Sequence, residues 1–173
     1  FGDYMCADEK NIVRIHGTSG TTGAPTLFGI NRDDMTRIAD AHARILWGAG
    51  VRPSDTVFLG SFFSLYWGSW GALIGSERLG ARVVPFGAGV SGQTAVAARL
   101  IARMRPTCFY GTPSYALRLL EIAHKEGFDP LRDFSFRIMF FSGEPGAGIP
   151  HMKKRLEEAF GAKVIDMGSM AEM

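Results

Sequence analysis

Cysteine is scarce in this chain, because only two of its 173 residues are cysteines. Cys6 and Cys108 lie far apart and do not form a pair with the spacing of a metal site. This usage indicates buried or unreactive thiols in a reducing compartment rather than a disulfide framework. Residues 1–4 carry no basic flank, so no signal peptide is apparent there. These features predict a cytoplasmic protein.

A strong charge of either sign is also missing. Lysine and arginine together number 19, aspartate and glutamate 17, and the formal net charge is +2. The sequence contains no run of five like charges. Because a nucleic-acid surface needs a concentrated positive field, no nucleic-acid partner is expected.

One long uncharged stretch requires a test for membrane insertion. Residues 56–76 contain no charged side chain, and a membrane-spanning helix needs about 20 apolar residues. The stretch also holds four glycines and four serines, and Pro53-Ser54-Asp55 in front of it is typical of a turn. We therefore predict a buried strand, an aromatic loop and a short helix here, and no membrane span.

Strand-like and helix-like segments alternate along the chain. Apolar runs predict strands at 12–15, 56–59, 82–86, 107–110, 136–141 and 163–166. Helical spacing predicts helices capped by Asn31 and Ser91, one beginning at Pro113, and one over 150–160. The first should bury Met35, Ile38, Ala39, His42, Ile45, Leu46 and Ala49. This alternation predicts an α/β fold with a mostly parallel sheet flanked by helices. Ligands of such sheets bind beyond the carboxyl ends of the strands.

A loop rich in glycine and hydroxyl groups follows the first predicted strand. Residues 17–25 contain three glycines and four serine or threonine side chains. Glycine allows a close backbone approach, and exposed N–H groups beside hydroxyls suit a phosphate. The sequence between this strand and the helix cap at Asn31 is neither a Walker P-loop nor a Gly-x-Gly-x-x-Gly fingerprint. The alternative is a plain surface turn, but the number of hydroxyls exceeds what a turn requires.

The same loop resembles the phosphate-binding signature of adenylate-forming enzymes. Residues 19–23, Ser-Gly-Thr-Thr-Gly, and Pro25-Thr26 match Ser-Ser-Gly-Thr-Thr-Gly-Lys-Pro-Thr. Further segments resemble the phenylacetate–CoA ligase family: residues 1–3 with 12–16, 75–81 (Gly-Ser-Glu-Arg-Leu-Gly-Ala), 112–117 (Thr-Pro-Ser-Tyr-Ala-Leu), 142–145 (Ser-Gly-Glu-Pro) and 166–172. The resemblance runs in order through essentially the whole chain.

The resemblance implies roles for individual residues. The ATP phosphates would contact Thr18, Ser19, Gly20, Thr21, Thr22, Gly23 and Thr26. The adenine and the rest of AMP would contact Gly143, Glu144, Pro145, Asp166 and Met167. Glu172 matches the family carboxylate that helps to hold Mg²⁺ and is the one catalytic residue assigned. Tyr66, Trp67 and Tyr110 would line an acyl pocket, with packing in the core as an equal alternative.

The chain departs from the family pattern at three points. Ala24 stands where the loop has a lysine, which would weaken the handling of pyrophosphate. Gly168-Ser169 replaces a Tyr-Gly pair near the adenylate, so the family's substrate range and affinity are not carried over to this chain. The resemblance also implies that residues 1–173 form part of an AMP-binding domain. The family's N-terminal segment, ribose-binding region and C-terminal lid would lie outside them.

The implied function is ATP-dependent activation of an aryl carboxylic acid, phenylacetate-like, to an acyl-adenylate and then to an acyl-CoA thioester. ATP, Mg²⁺ and CoA are the implied cofactors and co-substrates. The alternatives are a non-catalytic nucleotide-binding relative, adenylation for an acceptor other than CoA, and a phosphotransferase. A homodimer of the full-length protein is left open. As an isolated piece, the chain is expected to adenylate weakly or not at all.

Overall fold

A five-stranded parallel sheet forms the centre of the computed structural model, which describes residues 5–18 and 23–168. Its strands are β3 (Thr56–Gly60), β4 (Arg82–Val84), β5 (Cys108–Gly111), β6 (Ile138–Phe141) and β7 (Lys163–Asp166). They lie in the order β4-β3-β5-β6-β7, and every neighbouring pair is parallel. The predicted α/β class is thereby confirmed.

Six α-helices accompany the strands in the described part of the chain, and several of them begin or end at residues with identifiable capping chemistry. They are α1 (Arg32–Ala49), α2 (Gly68–Leu79), α3 (Gln93–Met104), α4 (Pro113–Lys125), α5 (Pro130–Asp133) and α6 (Pro150–Phe160). Asn31 and Asp34 form a reciprocal capping box at the start of α1. Gly50 and Gly161 end α1 and α6 in left-handed conformations. The third helix begins at Gln93 after Gly92, so Ser91 is not its cap.

Two apolar clusters cover the two faces of the sheet. Because side chains alternate along a strand, Phe58, Phe109, Met139, Phe141 and Val164 face one side and pack on α3, α4 and α6. Val57, Leu59, Cys108, Tyr110, Ile138 and Phe140 face the other side and pack on α1 and α2. Ile45, predicted to be buried, is 46% exposed, whereas its neighbour Leu46 enters the second cluster. The prediction for Ile45 was therefore wrong.

A separate hairpin precedes the parallel sheet. Strands β1 (Ile12–Gly17) and β2 (Leu27–Asn31) pair in antiparallel fashion, with His16 opposite Phe28 and Gly17 opposite Leu27. The glycine-rich loop therefore joins two strands, whereas the sequence was interpreted as strand, loop and helix. The second strand was missed because it is only five residues long, contains Gly29 and runs directly into the cap of α1.

The uncharged stretch at 56–76 contributes β3, a loop and the beginning of α2. Among residues 5–18 and 23–168, no helix has both the length and the apolar character needed to cross a membrane.

Candidate nucleotide and acid site

A cavity of about 440 Å³ opens at the carboxyl ends of β3, β5 and β6. Its described lining consists of Thr18, Pro25, Ser61, Phe62, Ser64, Leu65, Tyr66, Thr112, Ser142 and Gly143. The loops after three strands therefore meet the glycine-rich loop at one edge of the sheet, where parallel sheets bind their ligands. A larger groove of about 740 Å³ lies between α1 and α2, but none of its described lining residues belongs to the predicted site.

The base of the glycine-rich loop is closed by two hydrogen bonds. The Thr18 N–H donates to the Thr26 carbonyl oxygen at 3.0 Å, and the Thr26 N–H donates to the Thr18 hydroxyl at 3.0 Å. The hairpin thus fixes both ends of the loop beside the cavity. Ala24 is exposed there, next to the cavity-lining Pro25.

The loop after β3, residues 61–67, forms a second wall of the cavity. Side chains of α2 hold two of its carbonyl groups, since Ser69 Oγ donates to Phe62 O at 2.7 Å and Trp70 Nε1 donates to Ser64 O at 2.9 Å. A third carbonyl, that of Leu65, lies 2.8 Å from His16 Nδ1 and accepts the Gly17 N–H at 3.1 Å. The wall is therefore held both by its own helix and by β1.

The turns after β5 and β6 are tied to each other. The Glu144 carboxylate accepts the Ser114 N–H at 2.6 Å in the first turn of α4, and the Thr112 hydroxyl accepts the Tyr115 N–H at 3.3 Å. A carboxylate is favourable at this positive end of a helix. Gly143 has φ of +91°, which favours glycine and lets the backbone turn at the cavity edge.

The end of β7 lies beside the same turn. The Met167 N–H donates to Phe141 O at 2.8 Å and so continues the sheet one residue beyond Asp166. A Cβ atom added to Gly148 would lie 2.6 Å from Asp166 Oδ2, so the carboxylate sits directly over this glycine. The strand ends thereby place Asp166 next to the segment that follows Gly143 and Glu144.

Comparison with known families shows which family the chain belongs to. The family model described as AMP-binding enzyme matches residues 4–173. The chain belongs to this family. The resemblance to adenylate-forming enzymes that the motifs indicated is thereby confirmed.

Curated relatives of this AMP-binding chain include two phenylacetate-coenzyme A ligases. The one from Pseudomonas putida is 33% identical over 95% of the chain, and the one from Escherichia coli K12 is 34% identical over 99%. The chain spans only 36% and 38% of the length of these two proteins.

Solved structures of acid–CoA ligases share the fold. The structure of 2-hydroxyisobutyryl-CoA ligase with 2-HIB-AMP and CoA is 57% identical, with a TM-score of 0.94, and the match covers the whole chain and 36% of that protein. The anthranilate CoA ligase AuaEII with anthranoyl-AMP is 26% identical, with a TM-score of 0.64 over 91% of the chain and 29% of that protein.

The structure brings some of the predicted site residues together. Thr18, Tyr66 and Gly143 line the one cavity, and Thr26 holds the loop base. Gly23 is exposed in the glycine-rich loop, and Pro145 is exposed in the turn after β6. Glu144 lies in the same turn as Pro145, and Asp166 and Met167 lie at the end of β7. Ser19, Gly20, Thr21, Thr22 and Glu172 lie outside the described residues, so their roles stay predictions.

Two predicted pocket residues lie elsewhere among the described residues. Trp67 packs edge-on against His16, with ring centroids 4.3 Å apart, and the Arg14 guanidinium lies 6.0 Å from its ring. Tyr110 is 2% exposed and belongs to a core cluster. Burial raises the pKa of Tyr110, as does the nearby Tyr66, and the Ser142 hydroxyl partly opposes the rise. Neither aromatic residue is part of the cavity lining that the structure describes.

Several lining residues were not assigned roles from the sequence. Ser61, Thr112 and Ser142 each come directly after a parallel strand. The rule that ligands bind at strand ends pointed to their segments, because the predicted strands ended at residues 59, 110 and 141. Leu65 carried no such signal, because its place depends on the path of the loop.

Proposed function

We propose that this chain is the nucleotide- and acid-binding part of a longer AMP-forming acid–CoA ligase. The observation that carries the proposal is the cavity in which the glycine-rich loop, through Thr18, meets the ends of three parallel strands. Family membership and similarity to acid–CoA ligases support it. The longer protein would also contain the family's N-terminal segment, ribose-binding region and C-terminal lid.

In this proposal the acid's carboxylate attacks the α-phosphate of ATP, releasing pyrophosphate and forming an acyl-adenylate. The thiol of CoA then displaces AMP. Residues 19–23 would hold the ATP phosphates through N–H groups and hydroxyls, and Thr18 and Thr26, whose N–H groups already hydrogen-bond within the hairpin, would contribute their hydroxyls. The described part of this set fits a phosphate, because Thr18 lines the cavity and its hydroxyl, which accepts the Thr26 N–H, can still donate its own hydrogen. Positioning and neutralisation of charge supply most of the catalysis.

The remaining roles follow the motif positions. Gly143, Glu144, Pro145, Asp166 and Met167 would contact AMP, and the open backbone at Gly143 fits the close approach of a flat base. Mg²⁺ would be held by Glu172, a hard oxygen donor suited to this ion together with substrate phosphates. When bound, the ion neutralises phosphate charge. We also propose that the protein is cytoplasmic. For the full-length protein, a homodimer is a candidate oligomeric state.

Two classes of acid are candidates. An aryl acid such as phenylacetate is supported by the curated relatives and by Phe62 and Tyr66 in the cavity wall. A short hydroxy acid is supported by 57% identity to 2-hydroxyisobutyryl-CoA ligase and by the hydroxyl residues Ser61, Ser64 and Thr112 in the cavity lining. We favour the hydroxy acid, because neither Trp67 nor Tyr110 is among the described residues that line the cavity.

The test uses the full-length protein with ATP, Mg²⁺, CoA and either 2-hydroxyisobutyrate or phenylacetate. Pyrophosphate release and the masses of adenylate and thioester are measured. Thioester formation with 2-hydroxyisobutyrate supports the proposal, and a preference for phenylacetate reverses the choice of acid. Adenylate without thioester would indicate another acceptor. Nucleotide binding without adenylate would indicate a non-catalytic relative, and transfer of the γ-phosphate to an acceptor would indicate a phosphotransferase.

A further inference from the structure

We propose that His16 is a positioning residue that sets the distance between the phosphate loop and the acid-side wall of the cavity, residues 61–67. The inference rests on the proposed function, since that function requires an ATP phosphate and a carboxylate to meet between these two segments. No catalytic step is assigned to His16 itself.

Two consecutive residues of β1 hold a single carbonyl group of the wall. His16 Nδ1 lies 2.8 Å from Leu65 O, and the Gly17 N–H donates to the same oxygen at 3.1 Å. The next residue along the chain is Thr18, which lines the cavity together with Leu65 and Tyr66. The contact therefore lies directly where the phosphate loop begins.

The contacts of Ser69 and Trp70 have a different effect. Both residues belong to α2, the helix that follows the wall in sequence, and their side chains hold the carbonyls of Phe62 and Ser64. They shape the wall but do not connect it to the phosphate loop. Among the described hydrogen bonds, those of His16 and Gly17 to Leu65 O make that connection.

The surroundings of His16 fix its ring and its protonation state. The residue is 2% exposed and packs between Trp67 and Phe28, with ring centroids at 4.3 and 6.2 Å. Burial lowers the pKa of His16, and the positive charge of Arg14 lowers it further, against the opposing hydrogen bond to Leu65. The ring is therefore neutral at pH 7, and because Leu65 O only accepts, the proton resides on Nδ1.

The reacting groups must be aligned by the segments that hold them. A misplacement of about 1 Å can reduce a rate about 100-fold without removing any catalytic group. If the His16 contact is lost, one of the two described hydrogen bonds between β1 and the wall remains, the one from the Gly17 N–H to Leu65 O. We therefore expect the rate of adenylate formation to fall more than the affinity for ATP.

The experiment compares His16→Asn with His16→Gln in the full-length enzyme. The asparagine amide can donate from the position of Nδ1, whereas the glutamine amide reaches the position of Nε2. Acid-dependent exchange of pyrophosphate into ATP gives kcat and the KM for ATP and acid. We expect H16Q to lower kcat about 30- to 100-fold, with the KM for ATP changed less than about threefold. H16N should recover most of this loss.

A second measurement does not depend on activity. Long-range ¹H–¹⁵N NMR spectra of ¹⁵N-histidine protein, assigned by comparison with H16Q, identify which ring nitrogen of His16 carries the proton. A proton on Nδ1 supports the proposal, and a proton on Nε2 overturns it. Equal kcat values for H16N and H16Q also overturn it. If the wild type shows no pyrophosphate exchange with any of the acids tested, the proposed function fails. The NMR result alone then decides the role of His16.

Discussion

The two edges of the parallel sheet are built differently. At the amino-terminal edge, Asp55 precedes β3, Thr107 precedes β5 and Arg137 precedes β6. The buried Asp55 carboxylate accepts hydrogen bonds from the Thr107 hydroxyl at 2.7 Å, the Arg52 N–H at 2.7 Å and the Arg137 guanidinium. Arg137 also donates to Gly50 O at 2.8 Å. One carboxylate thus ties together the starts of three strands.

At the carboxyl-terminal edge, local contacts replace such a centre. Hydroxyl residues follow the strands, Gly143 turns with a positive φ, and Glu144 ties one turn to the next through a single N–H group. The cavity lies at this edge. Because open space and exposed backbone are needed to bind a ligand, this edge has fewer buried contacts to stabilise it.

The difference separates the residues that stabilise the fold from those proposed to bind ligands. Changes at the amino-terminal edge should lower the free energy of unfolding while the folded protein keeps its activity. Changes at the carboxyl-terminal edge should lower activity at a small cost in stability. Variants of the full-length protein test this separation.

Replacement of Arg137 should give the largest effect. In Arg137→Met the Asp55 carboxylate, 5% exposed, stays buried without its charged partner. Removal of one partner of a buried pair costs about 3 kcal/mol. Denaturant unfolding should show this loss in the free energy of unfolding, with kcat of the folded enzyme unchanged. Arg132→Met removes an arginine that pairs with Asp133 on the surface, where solvent screens the pair, and should leave the free energy of unfolding close to that of the wild type. Equal costs for the two variants would contradict the role of the Asp55 centre.

The pH dependence of stability should identify Asp55 itself. Burial alone would raise the pKa of Asp55, but the hydrogen bonds from Arg137, Thr107 and the Arg52 N–H lower it below its ordinary value. Ionised Asp55 therefore stabilises the fold above the ordinary unfolded pKa of about 3.9, and this contribution disappears as the pH falls through the lower folded-state pKa.

Asp55→Asn removes this titration. We expect a stability difference of about 2 kcal/mol between wild type and D55N from pH 5 to 7, shrinking as the pH falls below about 4. Unfolding free energies measured at pH 3, 4, 5 and 7 give the curve. A difference that stayed constant down to pH 3 would exclude Asp55 as the titrating group.

Gly143→Ala tests the opposite edge. A Cβ atom at this position would meet only Thr112 Cγ2 at 3.8 Å and Tyr66 Oη at 4.0 Å, so the cost comes from the positive φ. We expect a loss of about 1 kcal/mol in stability and a larger loss of adenylating activity. Gly127→Ala is the matched control, because Gly127 has φ of +85° with nothing within 4 Å of its Cβ position. Equal activities in G143A and G127A would show that the turn at Gly143 does not contact the nucleotide.

Much of the fold could be predicted because local chemistry and periodicity agree. Asn31 with Asp34, Pro113, and Gly161 mark helix ends in sequence and in structure. The strand β2 could not be predicted, since its pairing with β1 is a tertiary contact and its own five residues show no clear alternation. The prediction that Ile45 is buried failed for a related reason, because the close packing of α1 against α2 determines which face of α1 is buried. Gly75 of α2 leaves no room for a Cβ, which would lie 2.4 Å from His42 Cβ.

The site was predictable where it follows strand ends and motifs, as at Thr18 and Gly143. The direction of the side chains in the loop after β3 could not be predicted in this way. Trp67, for example, contacts His16 and is not part of the described cavity lining. The contact between His16 and Leu65 joins residues 49 positions apart, and no spacing in the sequence indicates it. Which face of a loop is buried depends on the contacts that the loop makes with the rest of the fold.

The smallest expected effect on stability concerns Glu144. Its carboxylate accepts the Ser114 N–H, and glutamine in its place keeps an acceptor oxygen but loses the favourable interaction of the charge with the start of α4. Glu144→Gln should therefore cost about 0.5 kcal/mol, and Glu144→Ala, which removes the acceptor, about 1 kcal/mol. If the carboxylate only holds the turn, E144Q should retain the KM for ATP, while E144A should raise it. A KM raised equally in both variants would instead assign the charged carboxylate a direct contact with the nucleotide. Stability losses above about 3 kcal/mol in E144Q would contradict the comparison itself, because the carboxyl-terminal edge would then be as strongly held as the Asp55 centre.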